Sequence, residues 1–428
     1  MKAILLPAGS HGDVHPFVGV GVALAERGHD VTLATCGLFA DLSERCGLKF
    51  HEVGTAERFL ELSQHPDLWH PRKAAALIAR EAILPGMRMQ YDAIEELTAS
   101  NSEPTVVVGS ALGFGGRLAH DNLKLPFVSL HLQPTMFWSV HKSPQLARHT
   151  LMGDWVPRWL KTFQFRLGIW MMFDRNVRKA CNEYRSELGL APIKTSWDMM
   201  HSPQKICAMF PEWFAPMQPD WPPQTVHTGF PLWDESGVTE VPAEIEQFID
   251  AGEPPIVFTP GSAHTHAIPF WRAAVDACQR LGRRGMLLTR HAEQIPDDLP
   301  ADVQHFPYVP FSAVLHRCAA LVYHGGVGTL SQALAAGVPH LIMPMAHDQP
   351  DNAVRIKCLG VGDYLWPNQF HGPRVAKMLG ELLTSESVAS ACRERAELLK
   401  DNDAIAKTCD IIEAAALSDS DQPRRESA

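Results

Sequence analysis

The sequence predicts an α/β protein made of two doubly wound, parallel-sheet domains. Three observations carry this prediction. The chain opens with a βαβ pattern, and the same pattern restarts near Ile256. Between them, Pro211 to Pro255 is dense in proline, with Pro216, Pro219, Pro222, Pro223, Pro231 and Pro242. A length of 428 residues is also too great for one compact core. Proline at that density suits a hinge crossing between domains. The expected division is a first domain over 1–215, a linker over 216–255, a second domain over 256–385, a final helix over 386–417 and a disordered polar tail over 418–428.

In the first half, a strand at Lys2 to Pro7 leads through a loop, Ala8 to Asp13, into a helix over Pro16 to Arg27. Pro16 is read in its first turn, where a missing N–H costs nothing, and Gly28 as its stop. Asp30 to Ala34 follows as a strand, which makes the sheet parallel. Val106-Val107-Val108 and Phe127 to Leu130 read as further buried strands. The second half repeats the scheme with strand Ile256 to Thr259, helix Phe270 to Leu281, strand Met286 to Thr289, strand Ala319 to Tyr323, a short helix from Leu330 to Ala336, and strand His340 to Met343.

Composition narrows the class. Hydrophobic residues at 46% and charged residues at 20% describe an ordinary globular protein. A net charge of −10 argues against a nucleic-acid partner, whose phosphates call for a basic surface. Nine cysteines without a Cys-x-x-Cys pair read as reduced thiols in a cytoplasmic protein. Gly9 to Asp13 interrupt the N-terminal apolar run before a signal peptide's core is complete. The longest apolar stretches fall well below the ~20 residues of a membrane span. The histidines do not group with carboxylates at ligand spacing, so no metal site and no cofactor are expected.

The most informative stretch is His324-Gly325-Gly326-Val327-Gly328-Thr329, between an apolar strand and a helix. Small residues at a strand's end let the backbone approach a ligand, and the helix behind them offers free N–H groups and a positive dipole end to an anion. A Gly-Gly-x-Gly turn by itself is equally an ordinary strand–helix connection. Here His324 precedes it as a further donor. Eighteen residues separate Thr329 from Asp348-Gln349, a carboxylate and an amide able to grip vicinal hydroxyls. A diphosphate seat followed by a hydroxyl clamp points to a nucleotide sugar.

These residues resemble the donor signature of family 1 glycosyltransferases, with Tyr308-Val309-Pro310-Phe311, His324 to Thr329 and Asp348-Gln349 at the matching positions. The resemblance implies the GT-B architecture, two Rossmann-like domains facing across a cleft, with the last helix returning to the first domain. It makes Tyr308 the ring that stacks on the nucleobase and Val309 the residue whose backbone pairs with it. It also makes Gly326, Gly328 and Thr329 part of the diphosphate seat. Pro260-Gly261-Ser262 becomes a second diphosphate contact through Ser262, against the bland reading of a plain turn. Phe311 and Gln332 stand where the family holds ribose. Neither offers a carboxylate, so a deoxyribose donor such as a dTDP-sugar fits at least as well as a UDP-sugar.

Glycosyl transfer needs a base on the acceptor and a stabilised leaving group. The loop after the first strand, Gly9 to Pro16, lies at the edge where doubly wound sheets build their sites. Plant members carry a His base there, whereas Gly12-Asp13 resembles the bacterial glycopeptide, sterol and rhamnolipid branches and makes Asp13 the base. Asp13 can equally serve only as a helix N-terminal carboxylate, and His11 and His15 are its rivals as base. No carboxylate stands near Gly109-Ser110, where the plant enzymes orient their His.

Leu151 to Leu190 interleaves Trp155, Trp159, Phe163, Phe165, Trp170 and Phe173 with basic residues. Most belong to packed helices; some should line an apolar acceptor cleft or give weak peripheral contact with a membrane. The likeness also runs along nearly the whole chain to the rhamnosyltransferases of rhamnolipid synthesis. That implies inverting transfer of a hexose from dTDP-rhamnose to a hydroxyl of a lipophilic acceptor, a hydroxy-fatty-acid lipid. The alternatives are a UDP-glucose enzyme acting on sterol, polyketide or phenolic acceptors, a sugar-nucleotide epimerase, and a catalytically silent nucleotide-sugar-binding helper.

Overall fold

The computed structural model describes residues 1–70, 73–99, 103–146, 153, 155–262, 264 and 267–417. The tail over 418–428 therefore lies outside the described residues. Thirteen strands form two wholly parallel sheets among them. The first holds β1 (Lys2–Leu6), β2 (Asp30–Thr35), β3 (Lys49–Glu52), β4 (Thr105–Gly109), β5 (Phe127–His131), β6 (Lys205–Ala208) and β7 (Thr225–His227), in the order β3-β2-β1-β4-β5-β6-β7. The second holds β8 (Ile256–Thr259), β9 (Gly285–Leu288), β10 (Val303–Phe306), β11 (Ala320–Tyr323), β12 (His340–Ile342) and β13 (Gly362–Tyr364), in the order β10-β9-β8-β11-β12-β13.

Both orders reverse direction after their first strand, between β1 and β4 and between β8 and β11. Parallel sheets buried on both faces need continuous apolar strands, and β1, β4, β5, β8 and β11 supply them. At a reversal, the loops leaving the carboxyl ends of the two strands part to opposite faces and open a crevice. The chain leaving β1 enters the helix whose first turn carries Asp13, and the loops after β4, β8 and β11 carry Ser110, Ser262 and His324.

Three sequence expectations need correction. The first helix spans His11–Glu26, so Pro16 stands inside it, not in its first turn. Its start is set earlier by a capping box of Ser10 and Asp13, which satisfies N-terminal groups that would otherwise be orphaned. The linker is shorter than 216–255, because Thr225–His227 pairs with β6 in the first sheet. Further on, helix Ala243–Asp250 buries Ile245, Phe248 and Ile249 in the same core as Val257 and Met286 of the second domain. The last helix is two: Glu386–Glu397 and Ala404–Leu417. The second of these packs Cys409, Ile412, Ala415 and Ala416 onto the core around Ala3, Leu5 and Leu24 of the first domain.

Candidate active site

Building the site starts at Gly9, whose φ of +131° is a conformation that side-chain-bearing residues avoid. A Cβ there would lie 2.3 Å from Asp13 Oδ2. Glycine is thus required for the carboxylate to fold back against the turn. The Ser10 N–H donates to Asp13 Oδ2 at 2.8 Å and the Ser10 hydroxyl at 3.2 Å. Oδ1 makes no hydrogen bond among the described residues. Burial raises the Asp13 pKa above the usual carboxylate value, opposed by the Ser10 bonds. A buried, proton-hungry carboxylate at a helix N-terminus is suited to taking a proton.

Its histidine rivals are otherwise engaged. His11 is lowered to about 4, first by burial and then by the charges of His15 and Arg290, and the Arg290 guanidinium lies 3.0 Å from its Nε2. His15 turns toward the linker, with Nε2 3.1 Å from Glu235 Oε1. Ser110, at the place where plant members put an orienting acid, has a buried hydroxyl without a partner.

On the facing domain, His324 closes β11 and its ring is sandwiched by glycines. A Cβ on Gly261 or Gly326 would come within 2.6 or 2.5 Å of ring atoms. Burial lowers His324 to about 3, so the ring is neutral and acts as an N–H donor, not as a cation. Its Nδ1 is buried and unpartnered. A ligand's acceptor atom would satisfy it. Gly326 caps helix Val327–Ala336, with Thr329 in its first turn. Ser262 is exposed on the loop after β8.

The two helix N-termini meet across the cleft. A Cβ on Gly328 would lie 3.6 Å from the Gly12 carbonyl oxygen and 3.7 Å from its Cα. Asp348 caps helix Gln349–Cys358, and its Oδ2 accepts from Asn352 Nδ2 at 2.7 Å. Burial and then the Asp13 charge push Asp348 up to about 7. The Asp13 charge on one domain therefore reaches Asp348 on the other.

Gln349 is not beside Asp348 as a free partner. Its Oε1 accepts from the Met345 and Ala346 N–H groups at 2.9 and 3.3 Å, stapling the loop that His347 bends with a φ of +61°. Tyr308 is held by a hydroxyl bond to the Asp234 carbonyl at 2.8 Å, and the Arg290 guanidinium lies 4.8 Å over its ring. A base stacking on that face must displace Arg290. The Val309 side chain is buried in the core, which leaves only its backbone to face a ligand. Phe311 packs against the same core and Gln332 is buried in its helix.

Several participants escaped sequence reasoning. Ser10 and Asn352 are reachable as the i−3 and i+4 neighbours of the two carboxylates. Arg290 and Glu235 are not, because their roles exist only once the domains meet. Glu235 is buried, which raises its pKa, yet His15, Thr239 and Arg45 outweigh that and hold it at about 2. From the first domain, Trp69 sets its ring 5.5 Å from His347 and 5.6 Å from His264, roofing the seat. No three His, Cys, Asp or Glu side chains gather in metal-ligand geometry among the described residues.

Known families match both ends of this cleft. Residues 3–141 match the glycosyltransferase family 28 N-terminal domain, and residues 285–413 the C-terminal domain of erythromycin biosynthesis protein CIII-like proteins. The chain is a glycosyltransferase with the GT-B fold, and its two ends resemble this family 28/EryCIII-like group. The glycosyltransferase depends on a nucleotide sugar, and its two Rossmann-like domains are those of GT-B structures. It is 28% identical to O-mycaminosyltylonolide 6-deoxyallosyltransferase of Streptomyces fradiae, over 96% of this chain and 97% of that one. It is 27% identical to vancomycin aglycone glucosyltransferase of Amycolatopsis orientalis, over 85% of each. The crystal structure of the kitacinnamycin glycotransferase superposes with a TM-score of 0.73 at 19% identity, covering 97% of this chain and 99% of the other. The rhamnolipid branch expected from sequence is not singled out by these matches; the shared ground is the wider family.

Proposed function

We propose that this glycosyltransferase moves a 6-deoxyhexose, rhamnose from dTDP-rhamnose, onto a hydroxyl of a lipophilic acceptor such as a hydroxy-fatty-acid lipid. Asp13 is the base. The carrying observation is the approach of the two helix N-termini across the cleft at Gly12 and Gly328, which brings the Asp13 charge within reach of Asp348. Asp348 grips sugar hydroxyls while Asp13 deprotonates the acceptor. The diphosphate sits at the N-terminus of helix Val327–Ala336, where the dipole and the orphaned His324 ring nitrogen meet the growing negative charge. Base and leaving group on opposite domains favour in-line attack, so the linkage inverts. A deoxyhexose donor is supported by the resemblance to the Streptomyces fradiae 6-deoxyallosyltransferase and by the missing ribose carboxylate at Gln332.

A second reading, transfer of glucose from UDP-glucose to a sterol or polyketide, is favoured by two other relatives. These are vancomycin aglycone glucosyltransferase and the sterol 3-beta-glucosyltransferase UGT80A2 of Arabidopsis thaliana, the latter 26% identical over 95% of this chain and 64% of that one. A panel of NDP-sugars scored by thermal stabilisation separates the two, since a ligand that binds only the folded state raises its melting temperature. Stabilisation by dTDP-rhamnose above UDP-glucose is expected; the reverse order replaces the first reading with the second. The anomeric proton of the first product, read by NMR, should be inverted relative to the donor.

A further inference from the structure

Helix Arg158–Ile169 continues through a π-turn at Trp170–Asp174 into helix Arg175–Glu187. Its inner face is packed: Phe165 lies against Trp138, and a Cβ on Gly168 would come 3.3 Å from the same indole. Its outer face is covered by nothing among the described residues. Trp159 is 72% exposed, Phe163 59%, Trp170 47% and Met171 50%, with Trp155 at 76% just ahead of the helix. Positions 159, 163, 167 and 170 fall on one helical stripe. Isolated exposed apolar residues need no explanation, but a row of large aromatics does.

Charge says what covers it. Trp155 to Lys179 holds six basic residues and one acid in a chain whose net charge is −10. The acid, Asp174, points inward, where its Oδ1 accepts from Thr195 and Ser196. Arg158, Arg166 and Arg175 flank the stripe on exposed positions and form no ion pair among the described residues. A second copy seated two-fold on this face would set like charge against like charge. An anionic bilayer offers the opposite: negative headgroups for the arginines and an interfacial layer in which tryptophan is at home. No helix among the described residues is long and apolar enough to cross a membrane, so the contact lies on the surface.

We infer that the Trp159–Phe163–Trp170 stripe with its flanking arginines is a docking surface for an anionic lipid bilayer. The inference goes beyond the transfer reaction and is independent of which donor or acceptor is used. Flotation of the full chain with phosphatidylcholine vesicles, with and without phosphatidylglycerol, tests it. Binding is expected only to the anionic vesicles and should be released by high salt. Arg166→Gln should weaken partitioning by about fivefold, the effect of one basic residue near such a surface. Trp159→Ser combined with Phe163→Ser should abolish it, while the melting temperature holds because both side chains are already in water. Equal binding to both vesicle types, or no binding at low salt, overturns the inference. So does a dimer in sedimentation velocity that the double variant abolishes, which would make the occupant a second copy.

Discussion

At the scale of the residue, the capping role of Asp13 is compatible with the proposed role as base, two readings that the sequence presents as alternatives. Its Oδ2 closes the capping box with Ser10, while burial gives the group its appetite for a proton. The place of Asp13, His324 and Asp348 beyond the carboxyl ends of strands was legible because each strand is a short apolar run. What Gln349 does was not, since a side-chain amide folds onto whichever backbone N–H its own loop presents. Asp13→Asn keeps an oxygen for the Ser10 bonds and removes the basicity. Turnover should fall by about 10²–10⁴-fold with donor affinity and melting temperature preserved. His11→Ala should be milder, because the ring nitrogen near Arg290 is already engaged. In the wild type, the rate should climb with pH through an ionisation above the ordinary Asp value of 3.8, since only the carboxylate form accepts a proton. An active Asp13→Asn beside a dead His11→Ala would transfer the base to His11.

At the scale of the element, strands were easier to read than helix ends. Buried parallel strands announce themselves as short apolar runs, and β8 spans Ile256–Thr259 as the pattern suggests. The first helix begins at His11 because capping chemistry outweighs the proline signal; Pro16 merely withholds one N–H from the helix interior. The expected final helix divides after Glu397, and the chain resumes at Ala404 to cross to the other domain. Periodicity cannot report such a turn when both pieces are amphipathic. The helix at Val327–Ala336 allows a clean test of the diphosphate seat. A Cβ on Gly328 meets only the Gly12 backbone at 3.6 Å, an ordinary contact, and the position is helical. Gly328→Ala should therefore leave stability unchanged or raise it by up to about 1 kcal/mol. The methyl group would nevertheless stand between the two helix N-termini, and affinity for the donor and for the free nucleoside diphosphate should fall together. Calorimetry showing normal nucleotide affinity in this variant would move the seat elsewhere.

At the scale of the whole molecule, the site is made by two domains and exists only when they meet. Arg290 touching His11, Tyr308 tied to Asp234, and Asp13 facing Asp348 all join segments that are far apart in the chain. This is why the sequence showed both halves of the site and not the contacts between them. Burial of Asp348, with the Asp13 charge second, also gives stability a pH dependence whose sign is fixed. Asp348 in the folded protein binds its proton up to about pH 7, against an ordinary value of 3.8, so the folded state holds more protons than the unfolded state between those limits. Stability contributed by this group is complete below the lower value and is lost as pH rises through the upper one. A tenfold change in proton affinity is about 1.4 kcal/mol, so the loss is bounded at about 4 kcal/mol. Asp348→Asn removes the ionisation and retains an oxygen for Asn352. Its stability relative to wild type, followed by chemical denaturation from pH 4 to pH 8, should start near zero and grow with pH to a plateau above 7. A gain that is the same at every pH would mean that burial does not hold the Asp348 proton up to neutral pH. The carboxylate proposed to grip the sugar would then be ionised before any donor arrives.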